Sequence, residues 1–435
     1  MRRNTVGVGI VGYGVVGNGV VKLLRRKRAA IRRQAGVDIE IRRIAEREPA
    51  RCRTSSVPSA LFTPNMQDIL DDPDIRIVVE LIGGKTSARQ IVTGALSRGK
   101  HVVTANKALL AARWGEIFSL VERTGATIRF ESSVMAGVPV IRSLHEGLAG
   151  NNVTAFMGIL NGTTNFILTR MEQRGVEFQK AVEEARKRGL CEADPALDVD
   201  GHDAADKLSI LGSLASGQWL PPENIYTEGI RHLAHDDLAF GREQFGCDLK
   251  LLAVYKRRGS RAEARVHPTF IPGDHPLAAV RNEFNALYLQ NDTAGPVMLY
   301  GKGAGQLPAA SGVIADIIAQ ARIVAGRAAG DLRPPVNSSR SLVVVPMEEI
   351  SSSFYLRFST VDRPGVLSRI AGALGEHKVS IQSVHQRGRP DAHGVVAIVM
   401  ATHTTREGDL RAAIRKIDAW KSIVRKKTVA IRIED

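Results

Sequence analysis

The sequence predicts an α/β protein in three parts, and three observations support this fold class. Residues 1–131 alternate short β-branched runs with helical patterns, which is typical of a parallel sheet with crossover helices. Residues 132–310 mix helical and strand patterns, which indicates an α+β region. Residues 353–434 follow the order strand, helix, strand, strand, helix, strand, which is the ferredoxin-like βαββαβ pattern.

Length and composition are those of a globular protein. The chain has 435 residues, of which 44% are apolar and 24% charged, and ~150 residues per domain suggest about three domains. No run approaches the ~18 apolar residues of a membrane helix, and the N-terminus shows no signal-cleavage pattern. Three widely separated cysteines have neither disulfide-framework nor zinc spacing. We therefore expect a cytoplasmic protein with no membrane contact.

The positive charge is concentrated at the start of the chain. The net charge is +15, and residues 1–53 carry fourteen basic and four acidic side chains. The densest run, residues 22–33, spaces its apolar residues as one helical stripe, so its charges fall on the opposite face. A solvated helix face is favoured over a field that attracts an anionic cofactor. Aromatic residues make up only 5% of the chain, so no nucleic-acid partner is expected.

The elements follow in order along the chain. In the first part, strands are predicted at 5–11, 39–45, 75–80, 101–104 and 127–131. In the second part, helices are predicted at 137–149, 161–174, 177–188 and 202–216, with strands toward 265–300 and a helix at 311–329. In the last part, strands are predicted at 354–360, 379–387, 394–403 and 423–433, with helices at 364–377 and 405–418.

These patterns predict four boundaries. We expect a dinucleotide-binding domain over 1–131, onto which the helix at 311–330 can fold back, and a substrate-binding and dimerisation domain over 132–310. Two consecutive prolines and a Ser/Asn cluster predict a linker over 331–352. The last domain, 353–435, should be removable without loss of basal activity if that linker is flexible.

A glycine motif follows the first predicted strand. Gly12, Gly14 and Gly17 form a GxGxxG string, with Val15 and Val16 opening the next helix. Gly12 permits a tight turn, Gly14 lets the backbone approach a pyrophosphate, and Gly17 allows close packing of helix and strand. The helix N-terminus supplies amides and a positive dipole end. The sequence therefore predicts a Rossmann-type nucleotide site.

The end of the second strand should select the cofactor. From Ala45 the sequence continues with both signs of charge: Arg47 and Arg51 could pair with a 2′-phosphate, whereas Glu46 or Glu48 could hold a bare ribose. NADP is favoured, and NAD use remains open.

Two lysines lie in polar strings within apolar surroundings. Lys107 follows a candidate strand, and ligands of open α/β sheets bind at the carboxyl ends of strands. Asp203 and Lys207 are spaced i and i+4 on one predicted helix, which continues with apolar residues. A charged pair on a buried helix usually faces a cavity. Asp198 and Asp200 are interpreted as solvated loop acids.

Several strings resemble the homoserine dehydrogenase family over residues 5–330. They are the glycine loop, TANKALLA, SSVMAGVPVI, NGTTNFIL, GLCEADPALDVDGHDAADKL and GKGAGQLP. The tail, which begins FYLRFSTVDRPGVLSRIAGAL, resembles an ACT domain, an amino-acid-sensing module. The resemblance implies the monofunctional form with a C-terminal ACT domain.

The resemblance implies an NAD(P)-dependent oxidoreductase that interconverts L-aspartate 4-semialdehyde and L-homoserine in threonine and methionine biosynthesis. It implies Lys207 as proton donor and Lys107 as a second lysine beside nicotinamide and substrate, although the sequence leaves open which lysine transfers the proton. Glu192 and Asp203 match carboxylates that bind the substrate. Gly189 and Gly305 match backbone positions close to the cofactor.

The resemblance also implies a monovalent cation and an effector. Main-chain oxygens of four loop residues would bind the cation, with sodium as the implied ion: Glu131, Val134, Ala136 and Val138. A hard cation prefers oxygen ligands, although Met135 is bulkier than expected in that loop. In the tail, Asp362 and Gly365 fit the effector-binding turn, with L-threonine as the implied ligand, although a module used only for assembly remains open. A homodimer or homotetramer is implied.

Two competing interpretations remain at this point. One is a dehydrogenase of another amino-acid semialdehyde, which a substrate panel would separate from the first. The other is a non-catalytic amino-acid sensor or a nucleic-acid-binding regulator. Intact Lys107, Glu192, Asp203 and Lys207 argue against a non-catalytic protein.

Overall fold

The computed structural model describes residues 5–48, 57–191, 194–328, 336–387 and 394–434. The chain forms two compact units, each assembled from three stretches. The first unit comprises residues 1–154, 206–224 and 285–342, and the second comprises 155–205, 225–284 and 343–435. The units therefore follow packing and not chain order.

The helices and strands of the described residues are as follows. The helices are α1 (Val15–Arg26), α2 (Arg28–Ala35), α3 (Gln67–Leu70), α4 (Thr86–Ser97), α5 (Lys107–Thr124), α6 (Val140–Arg142), α7 (Gly162–Arg174), α8 (Phe178–Lys187), α9 (Ala196–Val199), α10 (His202–Ser216), α11 (His235–Phe245), α12 (Gln306–Val324), α13 (Val366–Glu376) and α14 (Glu407–Asp418). The first strands are β1 (Thr5–Val11), β2 (Asp38–Ala45), β3 (Phe62–Thr63), β4 (Ile75–Glu80), β5 (His101–Thr104), β6 (Ile128–Arg129), β7 (Val153–Ile159), β8 (Gln218–Trp219), β9 (Tyr226–Thr227) and β10 (Cys247–Arg258). The remaining strands are β11 (Arg261–Pro272), β12 (Phe284–Asn291), β13 (Gly295–Lys302), β14 (Asn337–Ser341), β15 (Val343–Val344), β16 (Ser351–Val361), β17 (Ile381–Arg387), β18 (Val395–Thr402), β19 (Thr405–Arg406) and β20 (Val424–Ile433).

The first unit contains the predicted parallel sheet. Its strand order is β3-β2-β1-β4-β5-β6, and neighbouring strands are parallel. β1, β4 and β5 begin and end where the sequence predicts. The strand predicted at 127–131 is shorter, because the chain turns into a 3-10 helix at Glu131–Ser133.

Helix α12 belongs to the core of the first unit. Ala310, Val313 and Ile317 are buried in one apolar cluster with residues of β1 and α1. Within the described residues, α12 is the one helix long and apolar enough to cross a membrane. However, 56% of the helix is buried inside the protein, and core helices pass the same test.

The helix predicted at 137–149 is wrong in its start and its regularity. The chain forms α6 and then a π-helical turn at Ser143–Gly147. Met135 and Ala136 have positive φ values of 54° and 40°, which excludes right-handed helix at these two residues. Pro139 then stands directly before α6 with ψ 64°, so regular helix begins only at Val140.

The second unit is built on a long sheet with the order β7-β10-β11-β20-β16-β18-β17. Its centre is the antiparallel hairpin of β10 and β11, which the sequence analysis missed because it placed strands only toward 265–300. Residues 351–434, here called the C-terminal module, confirm the predicted βαββαβ order. One apolar cluster joins its sheet to α13 and α14, with Phe358, Ile370 and Leu410 fully buried.

The C-terminal module continues the sheet of its unit. β20 pairs in parallel with β11, with Arg432 opposite Thr269 and Ile433 opposite Phe270. Part of the predicted linker is also ordered: β14 pairs with β8 and β15 pairs with β11. The predicted linker over 331–352 therefore contains paired strands, and Leu342, Met347 and Ile350 within it are buried. Residues 329–335 lie outside the described part.

Candidate active site

The parallel strands of the first unit end in register at one edge of the sheet. Val11 of β1 lies opposite Ala45 of β2 and Glu80 of β4, and Glu80 lies opposite Thr104 of β5. The loops that follow these strands therefore leave the sheet at the same edge. In doubly wound sheets, ligands bind at this edge.

The glycine loop has the conformation that a pyrophosphate-binding turn requires. Gly12 has φ +101°, and its N–H donates to the Ala45 carbonyl at 2.9 Å. A Cβ at Gly17 would lie 2.1 Å from the Gly12 carbonyl oxygen, so only glycine lets α1 approach the turn. A Cβ at Gly14 would have no heavy atom within 4 Å, so this backbone borders open space.

That open space is a cleft of about 600 Å³. Its lining comes from the ends of β1 and β2, the loops after β3 and β4, and α4: Val11, Gly12, Gly14, Ala45, Glu46, Arg47, Pro64, Asn65, Met66, Leu81, Ile82, Ser87 and Ile91. Val15 is 68% exposed at the start of α1. The cleft is large enough for a nucleotide, and the sequence analysis missed the lining from 64–66 and from α4.

The two charges after β2 have different surroundings. An oxygen of the Glu46 carboxylate accepts the Tyr13 N–H at 3.0 Å, which ties the glycine loop to β2. Arg47 is exposed and lines the cleft. Arg51, the second arginine proposed for cofactor selection, lies outside the described residues.

The N-terminus of α12 lies against the glycine-loop helix. Gly305 has φ +112° and caps α12. The next residue, Gln306, donates from Nε2 to the Val15 carbonyl at 3.1 Å. The structure thus places Gly305 beside the start of α1, where Val16 also lies.

Lys107 begins α5 directly after the edge of the sheet. The preceding residue, Asn106, caps this helix by accepting the Leu109 N–H at 3.0 Å and donates to the Gly84 carbonyl at 2.7 Å. Asn106 N–H donates to Thr104 Oγ1 at 3.0 Å. These bonds fix the first turn of α5, so the backbone of Lys107 is held at the carboxyl edge.

Glu80, which the sequence analysis did not single out, completes this arrangement. It is fully buried, accepts the Thr104 hydroxyl at 2.6 Å, and accepts the N–H groups of Ile82 and Gly83 at 2.9 and 3.1 Å. Burial raises the pKa of the Glu80 carboxyl, while these hydrogen bonds favour its charged form. Glu80 therefore shapes the loop between the cleft and Lys107.

In the second unit, Asn161 gathers two carboxylates. Its Nδ2 donates to Asp198 at 2.7 Å and to Asp203 at 2.8 Å. Its Oδ1 accepts the Thr164 N–H at 2.8 Å, so Asn161 is also the N-cap of α7. This cap fixes the orientation of the amide, and the group of Asn161, Asp198 and Asp203 is called the carboxylate corner below.

The carboxylate corner differs from the sequence interpretation in one respect. Asp198 is not a solvated loop acid, because it shares Asn161 with Asp203. Asp200, by contrast, forms a half-exposed pair with Arg231 at 2.5 Å, which lowers the pKa of its carboxyl. Although Asp198 and Asp200 are only two residues apart in the sequence, they therefore have different partners in the fold.

The predicted catalytic helix is α10. Asp203 stands in its first turn, and Lys207 lies one turn further along. Lys207 is only 8% exposed. The ammonium charge is thus placed on a buried helix, as the pattern indicated.

Two other predicted residues, Gly189 and Glu192, come between α8 and α9 in the sequence. Thr163 Oγ1 donates to the Leu190 carbonyl at 2.8 Å, which ties this loop to α7. Gly189, next to Leu190, has φ +69° and open space around a would-be Cβ. Glu192 lies outside the described residues.

The predicted cation loop is a buried turn. Val138 N–H donates to the Met135 carbonyl at 2.9 Å, and Met135 is fully buried. The Glu131 carboxylate accepts the N–H groups of Ile141 and Arg142 at 2.8 and 3.0 Å, so its side chain is engaged within the fold. Burial raises the pKa of the Glu131 carboxyl.

Two carbonyls of this loop already accept hydrogen bonds within the fold. The Ala136 carbonyl accepts the Ser132 hydroxyl at 3.4 Å, and the Val138 carbonyl accepts the Val140 N–H at 2.8 Å. Each oxygen keeps a second lone pair. Two consecutive positive φ values fold the chain back between Val134 and Val138.

The predicted effector turn begins α13. Gly365 has φ +83° and is the N-cap of this helix, which explains the glycine. Asp362 and Gly365 are both exposed.

Comparison with known proteins adds three family matches. Residues 12–131 match the model for the NAD-binding domain of homoserine dehydrogenase, residues 139–318 match the homoserine dehydrogenase model, and residues 354–419 match the ACT domain model. The C-terminal module is therefore an ACT domain.

Relatives and solved structures agree with these matches. Homoserine dehydrogenase of Pseudomonas aeruginosa is 39% identical over 99% of both chains, and that of Synechocystis sp. is 40% identical over 88% of this chain and 90% of its own. The crystal structure of a homoserine dehydrogenase from Thiobacillus denitrificans has 39% identity and a TM-score of 0.91, covering 99% of this chain and 98% of its own. The S. aureus enzyme at pH 7.5 has 29% identity and a TM-score of 0.76, covering 99% of each chain. The chain therefore belongs to the homoserine dehydrogenase family, NAD(P)-dependent oxidoreductases that act on CH–OH groups.

Proposed function

We propose that this homoserine dehydrogenase prefers NADP, interconverts L-aspartate 4-semialdehyde and L-homoserine, and uses Lys207 as its proton donor. The carboxylate corner is the observation that carries this proposal. An amino-acid substrate brings an ammonium group, and carboxylates that are preoriented by a helix cap suit its recognition. Lys207 follows one turn after Asp203 on α10.

The cleft supports the choice of cofactor. One carboxylate oxygen of Glu46 is occupied by a hydrogen bond from the glycine loop, whereas Arg47 is exposed on the cleft wall. A guanidinium suits a 2′-phosphate, so this arrangement favours NADP, with NAD as a second cofactor. A homoserine dehydrogenase from a hyperthermophilic archaeon, 29% identical with a TM-score of 0.62 over 72% of this chain, was solved in complex with NADPH.

The glycine loop and its neighbours would hold this cofactor. The backbone at Gly12, Gly14 and Gly17 and the N-terminus of α1 suit the pyrophosphate. The remaining cofactor residues of the proposal are Val15, Val16, Ala45, Arg47, Arg51, Lys107, Gly189 and Gly305. When bound, the dihydronicotinamide supplies the hydride that reduces the aldehyde carbon.

The side chains of the protein supply the proton and bind the substrate. The Lys207 ammonium donates a proton to the carbonyl oxygen, so the developing alkoxide becomes the hydroxyl of homoserine. In the oxidation direction, neutral Lys207 accepts that proton. Asp203 and Glu192 bind the substrate ammonium, and Lys107 contributes positive charge beside the reacting carbon. Charged partners are required because both charges of the amino acid leave water on binding.

Three further parts of the proposal, which concern a cation, an effector and the oligomeric state, are supported mainly by the resemblance to the family. A monovalent cation, with sodium first, would bind the main-chain oxygens of Glu131, Val134, Ala136 and Val138. The ACT domain would bind L-threonine at the turn of Asp362 and Gly365 and inhibit the enzyme. The proposed protein is a cytoplasmic homodimer or homotetramer.

A substrate panel tests this function. Purified protein is assayed with homoserine, with aspartate semialdehyde and with other amino-acid semialdehydes, each with NADP(H) and NAD(H), and with and without threonine. We expect turnover of homoserine and aspartate semialdehyde, a lower KM for NADP(H), and inhibition by threonine. If only another amino-acid semialdehyde is turned over, the substrate assignment is wrong, since that outcome supports the alternative dehydrogenase.

A further inference from the structure

A buried ion cluster joins the ACT domain to the rest of the second unit. Arg432, in the last strand of the domain, is only 4% exposed at its side chain. It donates to Glu407 of α14 at 3.0 and 2.5 Å, and to Glu228 outside the domain at 2.7 Å. A guanidinium buried between two carboxylates is strongly oriented, because each lost partner would leave a buried charge uncompensated.

Tyr226 extends this cluster away from the ACT domain. Its hydroxyl donates to Glu228 at 2.8 Å, and the guanidinium of Arg432 lies 5.2 Å from the centre of its ring. Arg411 of α14, paired with Glu407 at 2.8 Å, lies 4.9 Å from the same ring. Residues 226–231, here called the bridge segment, therefore begin against the ACT domain.

The bridge segment ends against the loop before α10. Ile230 N–H donates to the Val199 carbonyl at 2.8 Å, and Arg231 binds Asp200 through both oxygens at 2.5 and 2.9 Å. A Cβ at Gly229 would lie 2.3 Å from the Val199 carbonyl oxygen and 2.5 Å from the Asp200 Cα. The two backbones are thus in direct contact, and a shift of one displaces the other.

Val199 is next to the carboxylate corner. Asp198 precedes it, and Asp203 lies in the first turn of the helix that follows it. Asn161 joins both carboxylates. A continuous series of contacts therefore runs from Arg432 through Glu228 and the bridge segment to the carboxylates of the corner.

We propose that Arg432 and Glu228 are positioning residues for substrate binding. Together they hold the bridge segment, and the bridge segment holds the 198–203 loop in the geometry that receives the amino-acid substrate. The ACT domain then controls the affinity for the amino acid and not for the dinucleotide, whose cleft lies in the other unit. This inference rests on the proposed role of Asp203 in substrate binding.

The substitution Glu228→Gln tests the coupling with little risk to folding. It removes one charge but keeps the shape and an acceptor, and Arg432 keeps its pair with Glu407. We expect the KM for homoserine to rise roughly 5- to 20-fold, as a coupling between two sites would produce. The value of kcat should stay within about threefold, and the KM for NADP should not change. Arg432→Lys should show the same pattern, because a lysine keeps the charge but cannot bridge both carboxylates.

Arg357→Lys is the matched control. Arg357 is also a largely buried arginine of the ACT domain, but it binds Asp237 of α11 at 2.5 and 2.9 Å. The Arg357→Lys substitution should lower the melting temperature about as much as Arg432→Lys does, and it should leave the KM for homoserine unchanged. A purely structural role of Glu228 and Arg432 would make all three variants alike.

Amide hydrogen exchange of residues 196–205 gives a readout that does not depend on activity. We expect faster exchange there in Glu228→Gln than in wild type and in Arg357→Lys. Unchanged exchange together with an unchanged KM would overturn the coupling. If wild-type protein did not oxidise homoserine, the proposed function would fail, and the exchange experiment would still decide whether the bridge segment holds the loop.

Discussion

The cofactor cleft and the carboxylate corner are built in different ways. The cleft is shaped by backbone: glycines at fixed spacing, a helix N-terminus, and four strand ends in register. The corner is shaped by side chains: one asparagine orients two aspartates that are 37 and 42 residues further along the chain. The cleft therefore depends on the absence of Cβ atoms, and the corner on the presence of particular functional groups.

Because of this difference, we expect the two sites to be sensitive to different kinds of substitution. Adding a methyl group should damage the cleft while conservative polar changes do little there. At the corner, removal of one charge should matter even when the shape of the side chain is kept. The corner also belongs to the unit that contains the ACT domain, so only the corner should respond to changes in that domain.

The largest effect is expected from removal of residues 353–435. The sequence analysis expected such a chain to keep basal activity if the linker is flexible, but β20 pairs with β11, and Arg265 forms a buried pair with Glu434 at 2.5 Å. Without the ACT domain, Arg265 would keep only Glu263 of its two carboxylate partners, and Asp237 would lose Tyr355 and Arg357, at a cost of several kcal/mol. We expect little soluble protein, measured as soluble yield beside the full-length chain. A soluble truncated enzyme with wild-type turnover would contradict this expectation.

The substitution Asp203→Asn should weaken substrate binding at the corner. The amide keeps the shape but loses the charge, so we expect the KM for homoserine to rise about 10- to 100-fold, or ~1.5–3 kcal/mol. The KM for NADP should not change, because the cleft is built separately. Asp194→Asn is the control, since Asp194 is exposed and its carboxylate accepts the Ala196 N–H. Equal effects of the two substitutions would argue against recognition by the corner.

The substitution Gly14→Ala should weaken cofactor binding without disturbing the fold. Gly14 has φ −67°, which alanine adopts easily, and the added methyl group meets only the open cleft. We expect the KM for NADP to rise roughly tenfold because the pyrophosphate can no longer approach the backbone. Gly115→Ala, at another uncrowded glycine within α5, should leave the KM unchanged. If Gly14→Ala bound the cofactor normally, the backbone approach would be disproved.

The substitution Arg47→Ser should have the smallest effect. Arg47 is exposed, so its charge is screened by water, and we expect the preference for NADP over NAD to fall only ~3- to 10-fold. The ratio of kcat/KM for the two cofactors measures this. An unchanged ratio would assign the selection to another group, with Arg51 as the next residue to substitute.

The same difference explains how much the sequence could predict. Gly12, Gly14 and Gly17 were predictable because the constraint on each glycine acts over a few residues. The bounds of β1, β4 and β5 were predictable because each strand is a short, buried, apolar run of consecutive residues. Asn161 and Asp198 could not be joined in advance, because their contact depends on how α7 and α9 pack. The junction of β20 with β11 was missed for the same reason, since it joins segments more than 150 residues apart.

Some local signals were present but were interpreted wrongly. Pro139 lies inside the predicted helix 137–149 and is a local signal for the later start at Val140 that the structure shows. Leu342 and the three valines after it lie within the predicted linker, but Leu342 is buried whereas Val343 is 57% exposed, so this apolar run alone did not indicate which of its residues pack. Glu80 gave no signal at all, because a single acid at the end of a strand has no motif.

Turnover by the Lys207→Ala variant tests the central claim most directly. The kcat for reduction of aspartate semialdehyde by NADPH is measured for this variant and for Lys187→Ala, an exposed lysine at the end of α8, with NADPH affinity followed by fluorescence. We predict that kcat falls ~10²- to 10⁴-fold in Lys207→Ala, as the loss of a general acid produces, while NADPH affinity stays within about threefold and Lys187→Ala behaves as wild type. A kcat within about threefold of wild type in Lys207→Ala would contradict the assignment of this lysine as proton donor.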